Sequence, residues 1–444
     1  MNYPKRPKIK DLQYNSDLKL SEDIGSLGAH DPSIFKDGDI YYVFSTDTDI
    51  IKDMKVAVQV RKSKDLVNWT YEGTVLEDVP ACAKLWTKAK GIWAPEIIKI
   101  KDKYYLYYCA SSFGKNKSCI GLLKSDSLSG PWEDCGIVLK TDNGDDRNAI
   151  DPNLVYDKHG QLWLAYGSFW SGIYIVRLDE TTGKIRKQGD RGIKIASRSH
   201  CVEGAVEGAY IIYNKVYDKY YLFVSYDSLS SDYNIRVGRA DNIDGPYVDI
   251  NSILMTDTEY INPNHVGNKI MGGYRFGGKY GFMAPGHNSV LNDDGDFYIV
   301  HHIRQENNTK CFYMHVRKVL WSRNGWPMVS PERYAGEIEQ PIRKNLISGL
   351  WELIVLYPDT NRIINSNIYG LVDNGAILGH YKGEFLLGEG NYVKVKLLID
   401  EKYEVYEGKV MPAWDWEENN ETLIITAINK DGIALWGKKS KSKV

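Results

Sequence analysis

The sequence predicts an all-β chain: a five-bladed β-propeller followed by a small β-barrel or sandwich. Three observations carry that expectation. A short apolar strand, a charged turn and a denser aromatic strand return five times, about every sixty residues, and a long fixed period marks a radial repeat. Strands of four to seven residues alternate with turn signals, and almost nothing has helical periodicity. After the fifth repeat the period stops, yet alternating strands continue.

The aromatic strands read Ile40–Phe44 (IYYVF), Tyr104–Tyr108 (YYLYY), Leu162–Tyr166 (LWLAY), Tyr220–Val224 (YYLFV) and Phe297–His301 (FYIVH). Their hairpins are marked by Lys36-Asp37-Gly38-Asp39, Asp157-Lys158-His159-Gly160 and Asn292-Asp293-Asp294-Gly295, where glycine supplies the positive φ of a tight turn. SDSLSGPW at 125–132 and ADNIDGPY at 240–247 echo one another and predict outer hairpins without chemistry. The repeats end near Trp321–Pro327. Beyond a polar stretch, Gly349–Val355, Ile377–His380, Tyr392–Ile399, Tyr403–Lys409, Thr422–Ile428 and Ile433–Lys438 predict the second unit. The expected domains are therefore 1–335 and 349–440, the second read as a brace rather than a sugar-binding module.

Composition narrows the function. A chain of 444 residues suits two domains. A net charge of −2, from 56 basic and 58 acidic residues, gives no electrostatic reason to expect nucleic acid. No apolar run approaches the ~20 residues of a membrane span, and a monomer is expected. The 32 tyrosines and 12 tryptophans suit strands and supply flat faces on which sugar rings stack. The six cysteines lack C-x-x-C spacing, so buried thiols in a reducing compartment are expected rather than zinc. MNYPKRPKIKDLQ carries basic residues with no apolar stretch behind them, so the expected location is the cytoplasm, the alternative being secretion with the leader removed.

The chemistry lies at one phase of the repeat. One strand back from each aromatic strand stand Asp31 (HDPSIF), Ala94 (APEII), Asp151 (DPNLV), Glu207 (EGAYII) and His287 (HNSVL). The first strand of a propeller blade lines the central channel, so these five residues should meet on the axis. An aspartate before proline often does no more than cap a turn. Two at the same phase fit that reading poorly. Glu207 has small or apolar neighbours, which raise a carboxyl's pKa and suit a general acid. Glu203 is a local rival that falls off the phase. Glycoside hydrolysis needs two carboxyl groups across the scissile bond, and a third can tune the acid.

The motifs HDPSIF, GIWAPEII, NAIDPNLVYD, GSFWSGI, VEGAYIIY and APGHNSVL together resemble the arabinanases of glycoside hydrolase family 43, over roughly residues 25–330. The resemblance implies a five-bladed propeller that hydrolyses internal α-1,5 links of arabinan with inversion. It implies Asp31 as general base, Glu207 as general acid and Asp151 as the residue that tunes and orients the acid. Substrate contacts fall at His30, Trp93, Gly114, Asn148, Ala149, Ile150, Ser168, Phe169 and Trp170. A calcium ion held mainly by water would meet His287 on the axis. One departure is Glu207-Gly208-Ala209, where the family usually has Glu-Ala-Pro or Glu-Gly-Pro. The length resembles the longer arabinanases with an extra C-terminal β-domain. The alternatives are an exo-acting arabinofuranosidase or β-xylosidase of the same family, and a sugar-binding propeller without catalysis, which would not need three acids at one phase.

Overall fold

The computed structural model describes residues 1–8, 24–46, 48, 57–277, 280–360, 362–371 and 375–441; the basic N-terminal stretch continues beyond residue 8 outside them. Five antiparallel sheets follow one another along the chain, beginning with strands Ser33–Asp37, Trp93–Ile100, Asn153–Tyr156, Val206–Asn214 and Phe282–Asp293. Each first strand touches the first strands of both neighbouring blades, so the five make a closed ring around an axis. The aromatic strands come second in their sheets and extend slightly past the sequence reading, as Ile40–Ser45, Lys103–Ala110, Leu162–Tyr166, Lys219–Tyr226 and Asp296–Gln305. Tyr107, Tyr108, Tyr221 and Phe223 are fully buried because a blade interior is covered on both faces by its neighbours. Ring closure uses the segment before blade one: Gly28 N donates to Phe312 O at 2.8 Å and Met314 N to Ser26 O at 2.9 Å.

One irregularity recurs in every blade and positions the site. Near its start, the first strand places two residues opposite one of the second. In blades two, four and five these are 94–95, 208–209 and 287–288, each pair skipped between the ladder partners on either side. In blade one, Thr46 N donates to His30 O while Ser33 pairs with Phe44, leaving Asp31 and Pro32 opposite Ser45. Blade three repeats this with Gly167 N on Ile150 O and Asn153 opposite Ala165. The first residue of each bulge is left-handed, with φ of 51° at Asp31, 34° at Ala94, 57° at Asp151, 60° at Gly208 and 43° at His287. A bulge of this kind re-aims a side chain, here toward the mouth of the channel.

The bulge corrects one sequence expectation. The blade-four residue at the shared position is Gly208, not Glu207. Glu207 stands one step earlier, in register with His30, Trp93 and Ile150. Counting back from the aromatic strand misplaced it because hairpin lengths differ between blades.

Residues 349–439 form a closed antiparallel barrel of eight strands: Gly349–Leu356, Asn367–Leu371, Ala376–Gly379, Gly383–Leu387, Tyr392–Ile399, Lys402–Asp415, Asn420–Asn429 and Ala434–Lys439. Closure pairs the first strand with the last, which decides between barrel and sandwich. Asn367–Leu371 and Gly383–Leu387 escaped the sequence reading, being short and interrupted by glycine. Ile354, Met411, Ile424 and Trp436 of the barrel share one apolar core with Tyr274, Phe276 and Trp326 of the propeller. The short strand Ile364–Asn365 pairs in parallel with Tyr274–Arg275 of the fifth sheet. At the same junction the buried Lys438 ammonium meets Glu417 at 2.7 Å, Glu332 at 2.9 Å and Asp415 at 3.2 Å. Burial works against that ammonium, but the three carboxyls hold it charged, well above its ordinary range. These contacts fit a brace.

Candidate active site

The bulges of blades one, three and five bring Asp31, Asp151 and His287 to one end of the channel, beside Glu207. They open into a cavity of about 1010 Å³. Asp31 is buried and heavily bonded. Its Oδ2 accepts from His30 Nδ1 at 2.8 Å and from Thr46 Oγ1 at 2.5 Å, and its Oδ1 faces His287 Nδ1 at 3.1 Å. Burial alone would raise the Asp31 carboxyl, but the charges and hydrogen bonds of His30 and His287 outweigh it and hold the group well below the usual carboxylate range. Asp31 is thus held as the carboxylate.

His287 is the partner in that arrangement. Burial would lower its pKa, yet Asp31 and Asp151, with a contribution from Glu207, push it up to about 10, so the imidazole is a cation. Gly208 lies against it: a Cβ there would come within 3.1 Å of His287 Cα. This accounts for glycine at the one bulge where no side chain is wanted.

Asp151 is buried without a cationic partner in hydrogen-bond contact. Burial, then repulsion from Glu207 and Asp31, raises it to about 7 despite the attraction of His287. Its N–H donates to the Cys109 thiol at 3.0 Å, and its Oδ2 accepts from Gly208 N at 3.1 Å. The second bond ties Asp151 to the residue that follows Glu207.

Glu207 is half-buried, and both its oxygens are occupied. Oε2 accepts from Ser168 Oγ at 2.7 Å and Oε1 from the Tyr233 hydroxyl at 2.8 Å. The small neighbours read from the sequence are present, yet what faces the carboxyl itself is two hydroxyls. Glu203 ends a 3-10 turn on the exposed rim.

Beneath the bulges a belt of hydrogen bonds joins all five blades. Ser33 Oγ donates to Glu96 Oε2 at 2.6 Å, and Asn153 Nδ2 to Glu96 Oε1 at 2.9 Å. Ile211 N donates to Asn153 Oδ1 at 2.9 Å, and Tyr210 takes a bond from the Val290 backbone. Ser289 Oγ donates to Pro32 O at 2.6 Å and accepts from Ile34 N at 3.0 Å. Each of Ser33, Glu96, Asn153, Tyr210 and Ser289 lies two residues after a bulge. Blade two has only Ala94 at its bulge, but through Glu96 it ties the blade carrying Asp31 to the one carrying Asp151.

Among the residues expected to contact substrate, His30, Trp93, Gly114, Asn148, Ile150, Ser168, Phe169 and Trp170 line the cavity. Two of these also hold carboxyls of the site, His30 at Asp31 and Ser168 at Glu207. Asn148 is buried at the wall with its Oδ1 unpartnered among the described residues. Ala149 is different. It is fully buried in the core between blades two and three, its N–H bonded to Thr141 Oγ1 at 3.1 Å, while its neighbours Asn148 and Ile150 take the cavity-facing positions. Sequence reasoning missed Thr46, Glu96, Tyr233 and His302. A second repeat phase, two residues past the first and polar in every blade, would have found Glu96; Tyr233 has no such signal.

Residues 24–327 match the model of glycosyl hydrolases family 43, and residues 331–437 that of a C-terminal lipocalin-like domain. The chain is 31% identical to an extracellular endo-alpha-(1->5)-L-arabinanase of Thermotoga petrophila, over 92% of this chain and 93% of that protein. It is 31% identical to an extracellular exo-alpha-(1->5)-L-arabinofuranosidase of Cellvibrio japonicus, over 71% of this chain and 90% of that one. A crystal structure of an endo-1,5-alpha-L-arabinanase from Thermotoga petrophila superposes with a TM-score of 0.84 at 29% identity, covering 94% of this chain and 99% of that chain. Both curated relatives are extracellular, which overturns the cytoplasmic expectation and points to secretion. Of the six free cysteines, Cys109, Cys119 and Cys311 are buried, Cys82 and Cys135 partly buried and Cys201 exposed.

Proposed function

The chain belongs to glycosyl hydrolase family 43, and from that premise we propose that it cleaves internal α-1,5-L-arabinofuranosidic bonds of arabinan with inversion. The observation that carries this is the grouping of Asp31, Asp151 and Glu207 in one cleft, each in a different electrostatic setting. Glu207 gives its proton to the leaving O5 as the C1–O5 bond breaks. A water attacks C1 from the opposite face and passes its proton to Asp31, which its histidine partners keep ionised. Inversion needs room for that water, and acid and base stand ~6.5–9.5 Å apart in such enzymes. Blades one and four, two steps apart on a five-membered ring, suit that spacing. Asp151 orients the acid through its bond to Gly208 N. Trp93, Phe169 and Trp170 offer faces for furanose rings. Endo action is favoured because the endo-acting relative matches across both domains, whereas the match to the exo-acting one covers 71% of the chain.

A calcium ion on the axis belongs to the same reading. His287 gives its Nδ1 to Asp31. Nε2 of His302 and Nε2 of His30 are buried histidine nitrogens without a partner among the described residues. His30, Asp31 and His302 stand close enough together to share an ion, so the cation fits the His302 side of Asp31 better than the His287 side expected from the motif. With one carboxylate in reach, most of its oxygens would be water. When bound, it supplies positive charge that favours the ionised form of Asp31.

The test is digestion of linear arabinan, branched arabinan and xylan, with product sizes followed over time and the first-formed anomer read by proton NMR. Linear arabinan should yield mixed oligosaccharides early, with β-configured new reducing ends. Release of single sugars from chain ends, or α-configured first products, would overturn the proposal.

A further inference from the structure

We infer that Tyr233 is a positioning residue for the Glu207 carboxyl, linked by a stack of three rings to Asp31 across the channel. The inference rests on Glu207 being the general acid. Tyr233 is buried at the start of the third strand of blade four, outside the repeat phase that supplies the other groups. Its hydroxyl donates to Glu207 Oε1 at 2.8 Å while Ser168 takes Oε2, so the carboxyl cannot rotate without breaking a bond on either side. Burial, then the charges of Glu207, Asp151 and Asp31, hold the phenol well above its ordinary range, so it remains a donor.

The ring itself has little freedom. Gly286 packs so closely that a Cβ there would fall 1.9 Å from Tyr233 Cδ1. His302 stacks on the ring at 5.7 Å with the planes 17° apart, and His30 stacks on His302 at 3.9 Å and 11°. The stack ends at the base: Asp31 accepts from His30 Nδ1 at 2.8 Å, and the Asp31 N–H donates to His302 Nδ1 at 3.3 Å. One column of packed rings therefore runs from the acid to the base. Positioning of this kind acts on kcat more than on KM.

The experiment uses the full chain and aryl α-1,5-arabinotriosides whose leaving phenols span a range of acidity. A poor leaving group needs the general acid, whereas 2,4-dinitrophenolate does not. Tyr233→Phe keeps the ring and removes only the hydroxyl. It should lower kcat on arabinan about 10-fold, with KM changed less than about twofold, and the deficit should shrink to nothing for the dinitrophenyl substrate. Gly286→Ala displaces the ring without removing a polar group and should give the same pattern, with folding checked by melting temperature. A deficit equal across the series, or none, would overturn the inference. Glu207→Gln runs alongside. If it shows the leaving-group dependence and Tyr233→Phe does not, Tyr233 alone is misassigned; if Glu207→Gln shows none, the acid assignment falls and this inference with it.

Discussion

Glu96→Gln isolates a cost built into the belt under the site. Burial pushes the Glu96 carboxyl from its ordinary 4.5 up to about 7, against the pull of hydrogen bonds from Ser33, Asn153 and the Leu154 backbone. Below pH 4.5 the group is protonated folded and unfolded alike, and contributes no pH dependence. Between 4.5 and 7 the unfolded chain loses its proton first, so folding becomes progressively less favourable. Above 7 the penalty levels off. From 4.5 to about 7, at ~1.4 kcal/mol per pH unit, the full penalty is about 3.5 kcal/mol. Glutamine fills the same space, keeps an oxygen for Asn153 and Leu154, and cannot ionise. Urea unfolding followed by tryptophan fluorescence should therefore show the variant gaining about 2–3 kcal/mol on wild type between pH 5 and pH 8. A difference that stays the same at both pH values would refute the account, because a packing or hydrogen-bond effect would not follow pH.

Three further outcomes are expected. Asp31→Ala, Asp151→Ala and Glu207→Ala should each lower kcat on linear arabinan by at least ~10²-fold in reducing-sugar assays, with the fold intact by circular dichroism; full activity in any one removes that residue from the mechanism. Thorough chelation should lower activity about 10-fold and added calcium restore it, while His302→Ala should not recover with calcium; undiminished activity after chelation would sink the metal. Lys438→Met should destabilise by about 3–5 kcal/mol in the same urea titration, since it strands Glu332, Asp415 and Glu417 without their shared cation; an unchanged midpoint would mean those carboxyls are simply protonated.

Most of the scaffold was legible in the sequence. The aromatic strands announced themselves because a blade interior buries both faces, which leaves dense runs such as YYLYY. The barrel was legible where burial alternates along a strand, as in Tyr392–Ile399, and illegible where Gly383–Leu387 is too short to show a period. Asp31, Asp151 and His287 were found by phase because each occupies a bulge with the same two-against-one count. Glu207 lies in the cleft but was assigned a place that belongs to Gly208, since a bulge is a feature of pairing and leaves no mark on one strand alone. Tyr233 was out of reach altogether. Its role depends on a ring lying over Gly286, a contact between residues more than fifty positions apart.

The repeated bulge has a consequence for how such a protein diversifies. Backbone shape and side-chain identity are decoupled at five sockets around one axis: Asp31, Ala94, Asp151, Gly208 and His287 share a left-handed conformation while spanning acid, methyl, bare backbone and imidazole. The belt two residues below keeps the ring fastened whatever occupies a socket. Point substitution at a socket can therefore rewrite the chemistry of the axis while the architecture is inherited unchanged. Ala94 is the position of greatest latitude, a small side chain already tolerating the strained backbone that any other group would need. A propeller of this kind is a fivefold frame whose symmetry is spent on geometry, leaving each blade free to evolve its own part of an asymmetric site.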